Sequence, residues 1–367
     1  MKLKIFDKYI FGQVFLATCV CILLFMVIWI APELLLKTIQ RTLEGSYTVK
    51  MAVDILTYEI PKILGNAFPV GLLLGALFTF DKLSKDFELT IFRGIGISFW
   101  RILAPVITLS IIISALSFIV FDKMIPYSSN KLNMIKNENR GSHFVFPIKN
   151  NTGQMDKIII VSSFDNNDIN DLVVLKFSKN QYDKASVLNN IIISDYAVYK
   201  PGSWVLNDTK NYLISNEGIF EDIVKEKKVE ILNGDKADRA YKLMMYSVKR
   251  DRELTNSQMF NYIKLLKIEQ MDDEFRFMLN KYLQRYTHSF ICILFAILGC
   301  LLGFSQPREQ RLIGFTIAVA IIFLYYITMP FFDMLAEKGI ASPILTAFIQ
   351  PISIFIFIIL LKKKKDL

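Results

Sequence analysis

The chain has 367 residues, 53% of them hydrophobic and 21% charged, and a net charge of +9. An apolar excess of this size, gathered in blocks rather than spread at core spacing, excludes an ordinary soluble domain. Two histidines, four cysteines and the lack of a G-x-x-x-x-G-K-[ST] loop leave no metal-ligand spacing and no phosphate cradle. The chain therefore does not read as a hydrolase, a redox enzyme or an ATPase.

Met1–Ile10 reads as a short basic amphipathic start. Apolar runs follow near Phe11–Leu36, Ile60–Phe80 and Ile102–Phe121, and again near Tyr286–Phe304, Leu312–Phe332 and Pro343–Leu361. Each is long enough to span a bilayer, for which about 20 apolar residues suffice. The first run is too long for a signal-peptide core and lacks a small-residue cleavage site. It holds no charge until Glu33 and Lys37, near its outer end. Cys19, Cys21, Cys292 and Cys300 all lie in apolar runs, so they read as small buried residues rather than a disulfide framework.

Lysine and arginine in the short loops orient the spans. Lys2, Lys4, Lys8, Lys82, Lys85, Arg93, Arg101, Arg308, Arg311 and Lys362–Lys365 fall on one side. Only Lys37, Arg41, Lys50, Lys62 and Lys338 fall on the other. Both termini are expected in the cytoplasm. The polar insert, about residues 127–280 after an odd number of spans, is expected outside it. Much of the net charge is then a topology signal that requires no nucleic acid, and the lysine tail suits an anionic inner leaflet.

Within the second run, Pro61 and Pro69 free backbone carbonyls and bend the helix. Gly71-Leu-Leu-Leu-Gly75, and Gly299-Cys-Leu-Leu-Gly303 in the fourth run, let neighbouring helices approach closely. Asp81–Ser98 begins as a short helix with Leu83, Phe87, Ile91 and Phe92 near one face, until Gly94 and Gly96 break it. A mere connection needs neither this length nor this apolar content.

The insert reads as β structure. Phe144–Ile148, Lys157–Ser162, Leu172–Phe177, Asn190–Tyr199, Ser203–Leu206 and Asn211–Ser215 are β-branched or aromatic runs divided by Asn-, Asp- and Gly-rich turns. Strands this short and frequent suggest a sandwich or jelly roll. From Thr255 the spacing of Met259, Ile263, Leu266 and Gln270 predicts one long helix leading into the fourth span. The expected domains are 1–126 (three spans with a cytoplasmic helix near 81–98), 127–252 (the β insert) and 253–367 (a connecting helix and three spans).

Several stretches together resemble the LptF/LptG (YjgP/YjgQ) permeases. They are Ile60-Pro-Lys62, Phe68-Pro-Val-Gly-Leu-Leu-Leu-Gly75, Lys82-Leu-Ser-Lys-Asp-Phe-Glu-Leu89 and Gly94-Ile-Gly-Ile-Ser98. Phe121–Pro126, Leu283-Gln-Arg285, Gly314, Tyr325-Tyr326 and Gly339-Ile-Ala-Ser-Pro343 continue the likeness, while Ser289 departs from a frequent proline. The resemblance implies six transmembrane helices with a periplasmic β-jellyroll between the third and fourth. It implies a non-catalytic subunit of the ABC transporter that extracts lipopolysaccharide. ATP and Mg²⁺ would be held by a cytosolic ATPase dimer, and this chain would bind no cofactor itself. A second permease subunit and a periplasmic jellyroll bridge protein would complete the assembly.

On this resemblance Phe87, Glu88, Leu89, Phe92 and Arg93 form the coupling helix, with Glu88 pairing to an ATPase arginine. Lys37, Arg41, Lys62, Lys123 and Arg285 sit at the depth of lipopolysaccharide phosphates. Pro61, Pro69, Gly71 and Gly75 shape a movable cavity wall, and the insert's apolar inner face is expected to receive acyl chains. The competing classes are a non-ABC lipid transporter and a membrane-anchored β scaffold. Proton-coupled transport is disfavoured because Glu33, Glu59 and Asp333 lie near span ends rather than mid-span.

Overall fold

The computed structural model describes residues 5–30, 34–136, 144–149, 154–165, 168–179, 186–215, 219–304 and 312–365. Lys2, Lys4, Glu33, His143, Arg308 and Arg311 lie outside the described residues. Two compact units are formed: residues 1–136 with 276–367, and residues 137–275.

The first unit is helical. Its helices are α1 (Ile5–Ile30), α2 (Leu36–Leu43), α3 (Val49–Lys85), α4 (Glu88–Gly94), α5 (Phe99–Ile119), α6 (Ile125–Lys136), α9 (Asp272–Gly303), α10 (Leu312–Glu337) and α11 (Pro343–Lys364). A π-helical turn, Val120–Met124, joins α5 to α6 into one continuous rod. Among the described residues six helices are long and apolar enough to cross a membrane, three before the insert and three after.

α3 starts at Thr48, whose side chain accepts the Met51 N–H at 3.3 Å. Its 37 residues span about 55 Å at 1.5 Å each, well beyond a hydrocarbon core of about 30 Å. Asp81–Lys85 is thus the end of this helix rather than the beginning of a separate one, and the short helix is Glu88–Gly94 alone. α3 and α9 form the centre of the unit, with Leu72, Leu73, Ala76, Phe80, Phe295 and Leu298 fully buried. Outward-facing Leu16, Leu23, Val27, Phe323, Leu324 and Ile327 leave α1 and α10 with exposed apolar faces.

The second unit holds one six-stranded antiparallel sheet in the order β1-β2-β3-β4-β5-β6, consistent with a jellyroll-type insert. The strands are Phe144–Lys149, Met155–Asp165, Asp168–Lys179, Ser186–Lys200, Ser203–Ile214 and Phe220–Asn233. β5 joins Ser203–Leu206 and Asn211–Ser215, expected as two separate runs. Asp208 takes φ 49° inside the strand, so the chain kinks without leaving the sheet. β6 is highly charged, with most of its side chains in solvent, which hid it from an apolar pattern. Phe146, Ile159, Val174 and Ile192 stand opposite one another along one face and are fully buried.

α7 (Asp235–Ser247), also absent from the sequence reading, buries Ala237, Ala240, Leu243 and Met244 and accepts the indole N–H of Trp204 at Ala237 O, 3.0 Å away. α8 (Asn256–Ile268) carries a capping box, Thr255 with Gln258. It ends before α9 because Gln270 turns left-handed at φ 56°, so the expected long helix is two.

Candidate functional site

α2 divides its residues between two faces. Lys37 and Arg41, four apart, lie on one; Ile39 and Leu43, also four apart, lie on another. The basic face opens on a cleft of about 210 Å³ whose lining includes Lys37, Arg41, Lys62, Lys136, Glu59 and Tyr47. Trp29 of α1 and Ile55 and Ile63 of α3 supply its apolar wall. Glu59 lies 3.9 Å from both the Lys62 and the Lys136 ammonium, beyond hydrogen-bond reach. The Arg41 guanidinium donates to the Tyr47 hydroxyl and sits 5.4 Å from that ring's centre. A second cleft of about 220 Å³ is lined by Leu35, Ile39, Leu43, Val49, Val53 and Leu56 among others. Thr38 borders both, so cationic and apolar hollows share α2 and α3.

The other end of α3 leads into α4. Phe87 takes φ 61°, a left-handed joint costing roughly 1–2 kcal/mol in a non-glycine residue. Leu89 points inward and is 1% exposed, and Phe92 packs edge-on to Phe6 of α1 with centroids 4.7 Å apart. Phe87, Ile91 and Ile95 face outward in a row, 54%, 59% and 70% exposed. Beside that row, Glu88 accepts the Tyr9 hydroxyl at 2.9 Å. Arg93 lies over Phe304, at the end of α9, 5.6 Å from the ring centre. Arg101 pairs with Asp7 at 2.7 Å, and Lys365 donates to Leu301 O at 2.9 Å. The first turns of α1, the last turns of α9 and α11, and α4 are therefore gathered at one end of the helical unit, away from the cleft.

The sequence matches the family described as lipopolysaccharide export system permease LptF/LptG over residues 8–364. The chain belongs to this family. No curated protein matches it. Membership makes the chain a transport component rather than a catalytic enzyme, and with its six apolar helices marks a multi-pass inner-membrane protein.

Three of the five basic residues singled out in this permease's sequence, Lys37, Arg41 and Lys62, meet in the cleft. Lys123, in the π turn, and Arg285, on α9 and 7% exposed, are not among its lining residues. Lys136 and Glu59 were missed. Glu59 was legible as a helical neighbour three residues before Lys62, whereas Lys136 reaches the cleft only through the fold of α6. Of the coupling residues, Leu89 and Phe92 turn into the permease, and Ile91 and Ile95 share the outward row with Phe87.

The glycine pairs are helix contacts. A Cβ on Gly75 would lie 2.6 Å from Thr18 Cα, and one on Gly71 would lie 3.3 Å from Ile22 N, both on α1. On α9, a Cβ on Gly299 or Gly303 would come within 3.0 Å of Ala76 or Phe80 Cβ on α3. Pro61 and Pro69 lie within α3, Pro61 between the cleft residues Glu59 and Lys62, and Pro69 just beyond the cleft.

Proposed function

We propose that this permease is one of two membrane subunits of an ABC transporter that lifts lipopolysaccharide from the inner membrane and passes it to a periplasmic bridge protein. One observation carries the reading: a cationic cleft and an apolar cleft side by side on α2 and α3. An acylated, phosphorylated lipid offers those two chemistries together. Arginine holds phosphate bidentately and lysine as a point charge. At about 0.8 kcal/mol per methylene, a twelve-carbon chain in water costs roughly 10 kcal/mol. Extraction therefore needs both apolar lining and an outside source of work.

That work comes from ATP and Mg²⁺ bound to a cytosolic ATPase dimer, since this chain carries no nucleotide loop. The outward row Phe87, Ile91 and Ile95 suits an apolar groove on the ATPase, with Glu88 beside it to pair with an arginine. A second permease of the family covers the exposed apolar faces of α1 and α10 and closes the lipid cavity. Lys82, Lys85, Arg93, Arg101 and the lysine run at the end of α11 share one end of the unit, which is the cytoplasmic one by the positive-inside rule. Both termini then lie in the cytoplasm, and residues of about 127–280 lie in the periplasm, where the β insert docks the jellyroll bridge protein.

Purification in mild detergent, with identification of the accompanying chains, tests this. An ATPase and a second permease are expected, with lipopolysaccharide crosslinking from positions 37, 41, 62 and 136. Glu88→Lys is expected to abolish export while the protein stays inserted, because losing one partner of a desolvated charge pair costs about 2–5 kcal/mol. A preparation without ATPase, or normal export by that variant, overturns the reading and favours a membrane-anchored β scaffold.

A further inference from the structure

A proline inside a helix gives no N–H to the carbonyl four residues earlier. In α3, Pro69 therefore leaves Gly65 O without its helical donor. The missing bond is replaced from another helix: His288 Nε2 of α9 lies 3.3 Å from Gly65 O. The adjoining carbonyl, Asn66 O, accepts the Tyr326 hydroxyl of α10 at 2.7 Å. A carbonyl only accepts, so His288 carries its proton on Nε2. Its Nδ1 then accepts the Tyr325 hydroxyl, 2.9 Å away. Tyr325 O in turn accepts Gln350 Nε2 of α11 at 3.0 Å, and that amide also donates to Thr328 Oγ1 at 3.0 Å. This second contact lies near another gap, because Pro330 leaves Tyr326 O without its helical donor. Four helices are thus joined by neighbouring side-chain and main-chain hydrogen bonds that lie beside two prolines, with His288 and Tyr325 buried.

The gap at Pro69 divides the hydrogen-bond ladder of α3. On one side lie the cleft residues Ile55, Glu59, Lys62 and Ile63; on the other, Gly71, Gly75 and the run into α4. A displacement at α4 that travels along α3 reaches the cleft through this point. We propose that His288, Tyr325, Tyr326 and Gln350 form a polar latch across the hydrogen-bond gap that Pro69 leaves in α3, and that its rearrangement carries movement from α4 to the basic cleft. The four are positioning residues. The coupling half of the proposal rests on the export reading above, and the latch itself does not.

The test is a double-substitution cycle in the full chain. His288→Ala leaves Gly65 O unpaired in the native background. Pro69→Ala restores a backbone N–H that pairs with it. His288→Ala is expected to lower the folding equilibrium constant of the detergent-solubilised permease about tenfold more with Pro69 present than with Pro69→Ala, in line with the cost of an unpaired buried acceptor, while the lost ring packing and the Tyr325 contact weigh equally on both backgrounds. In the assembled transporter, His288→Ala is expected to cut ATP-driven lipopolysaccharide release about tenfold while ATP hydrolysis stays within about twofold, with Pro69→Ala restoring release. His288→Gln, which keeps a donor, is expected to recover most of both effects and replaces the alanine variant should that not fold. Equal losses in the two backgrounds, or normal release by His288→Ala, overturn the proposal. A wild-type complex that hydrolyses ATP without releasing lipid counts against the export reading, while the unfolding cycle still decides the latch.

Discussion

Replacing Glu59 by Gln isolates the electrostatics of the cleft. Four cations (Lys37, Arg41, Lys62 and Lys136) surround this one carboxylate, a net of three positive charges. The carboxylate is 3.9 Å from each of two ammonium groups, so it weakens their hold on an incoming anion without locking them in hydrogen bonds. A phosphate held on the far side of those ammonium groups, each 3.9 Å from the carboxylate, would lie about 8 Å from Glu59. Repulsion between unit charges at that distance is about 0.5 kcal/mol at the dielectric of water and about 2 kcal/mol at an effective value of 20. Glu59→Gln is therefore expected to bind lipopolysaccharide about 2- to 30-fold more tightly, with the gain shrinking as salt is raised. Lys62→Gln is expected to shift binding the other way. Titration of the assembled transporter in nanodiscs, at low and high ionic strength, measures both. Unchanged or weaker binding by Glu59→Gln at low salt refutes the assignment of this cleft to a phosphate.

Tyr9→Phe removes the hydroxyl that Glu88 accepts, and amide exchange across residues 88–94 is expected to quicken severalfold, with ATPase docking weakened in parallel. Exchange at the wild-type rate would mean that Tyr9 does not hold α4. Gly75→Val places a side chain against the Thr18 backbone and is expected to cost about 1–3 kcal/mol, read as a lower unfolding midpoint in detergent. In the β unit, the Gly202 N–H at 2.7 Å and the Tyr199 hydroxyl at 2.8 Å hold Asp238 below the usual carboxylate range. A depressed carboxylate contributes its full stabilisation above the ordinary value near 4 and loses it as the pH falls through the lowered one. Loosening around buried Trp204 should therefore begin below about pH 4 in the full chain, and Asp238→Asn should flatten that dependence. An unchanged acid profile in fluorescence would contradict it.

The six spans were legible because nothing but length and the absence of charge is needed to mark them. The insert's strands were legible where β-branched residues run together, as along Lys157–Ser162. They were not where the strand is charged, as in β6, or kinked by a single left-handed residue, as at Asp208. The break at Gln270 left no mark, since glutamine ordinarily continues a helix. Lys37, Arg41 and Lys62 could be named as anion contacts from their depth in the membrane, but their meeting around Glu59 depends on how α2 folds back along α3. The inward turn of Leu89 and Phe92 depends on α1, which lies about 80 residues earlier in the chain, so helical spacing alone mixed the buried and outward faces of α4.

The bare-backbone contact between α3 and α9 has a consequence for biosynthesis. Gly303 rests against Phe80, but the ribosome makes one more than 200 residues after the other. At about 5–20 residues per second, α3 waits roughly 10–45 s for its central neighbour. For that interval the nascent chain holds a proline-containing rod with its close-packing seam vacant. Whatever shelters that seam, whether lipid or an insertion chaperone, has to leave when the fourth span arrives.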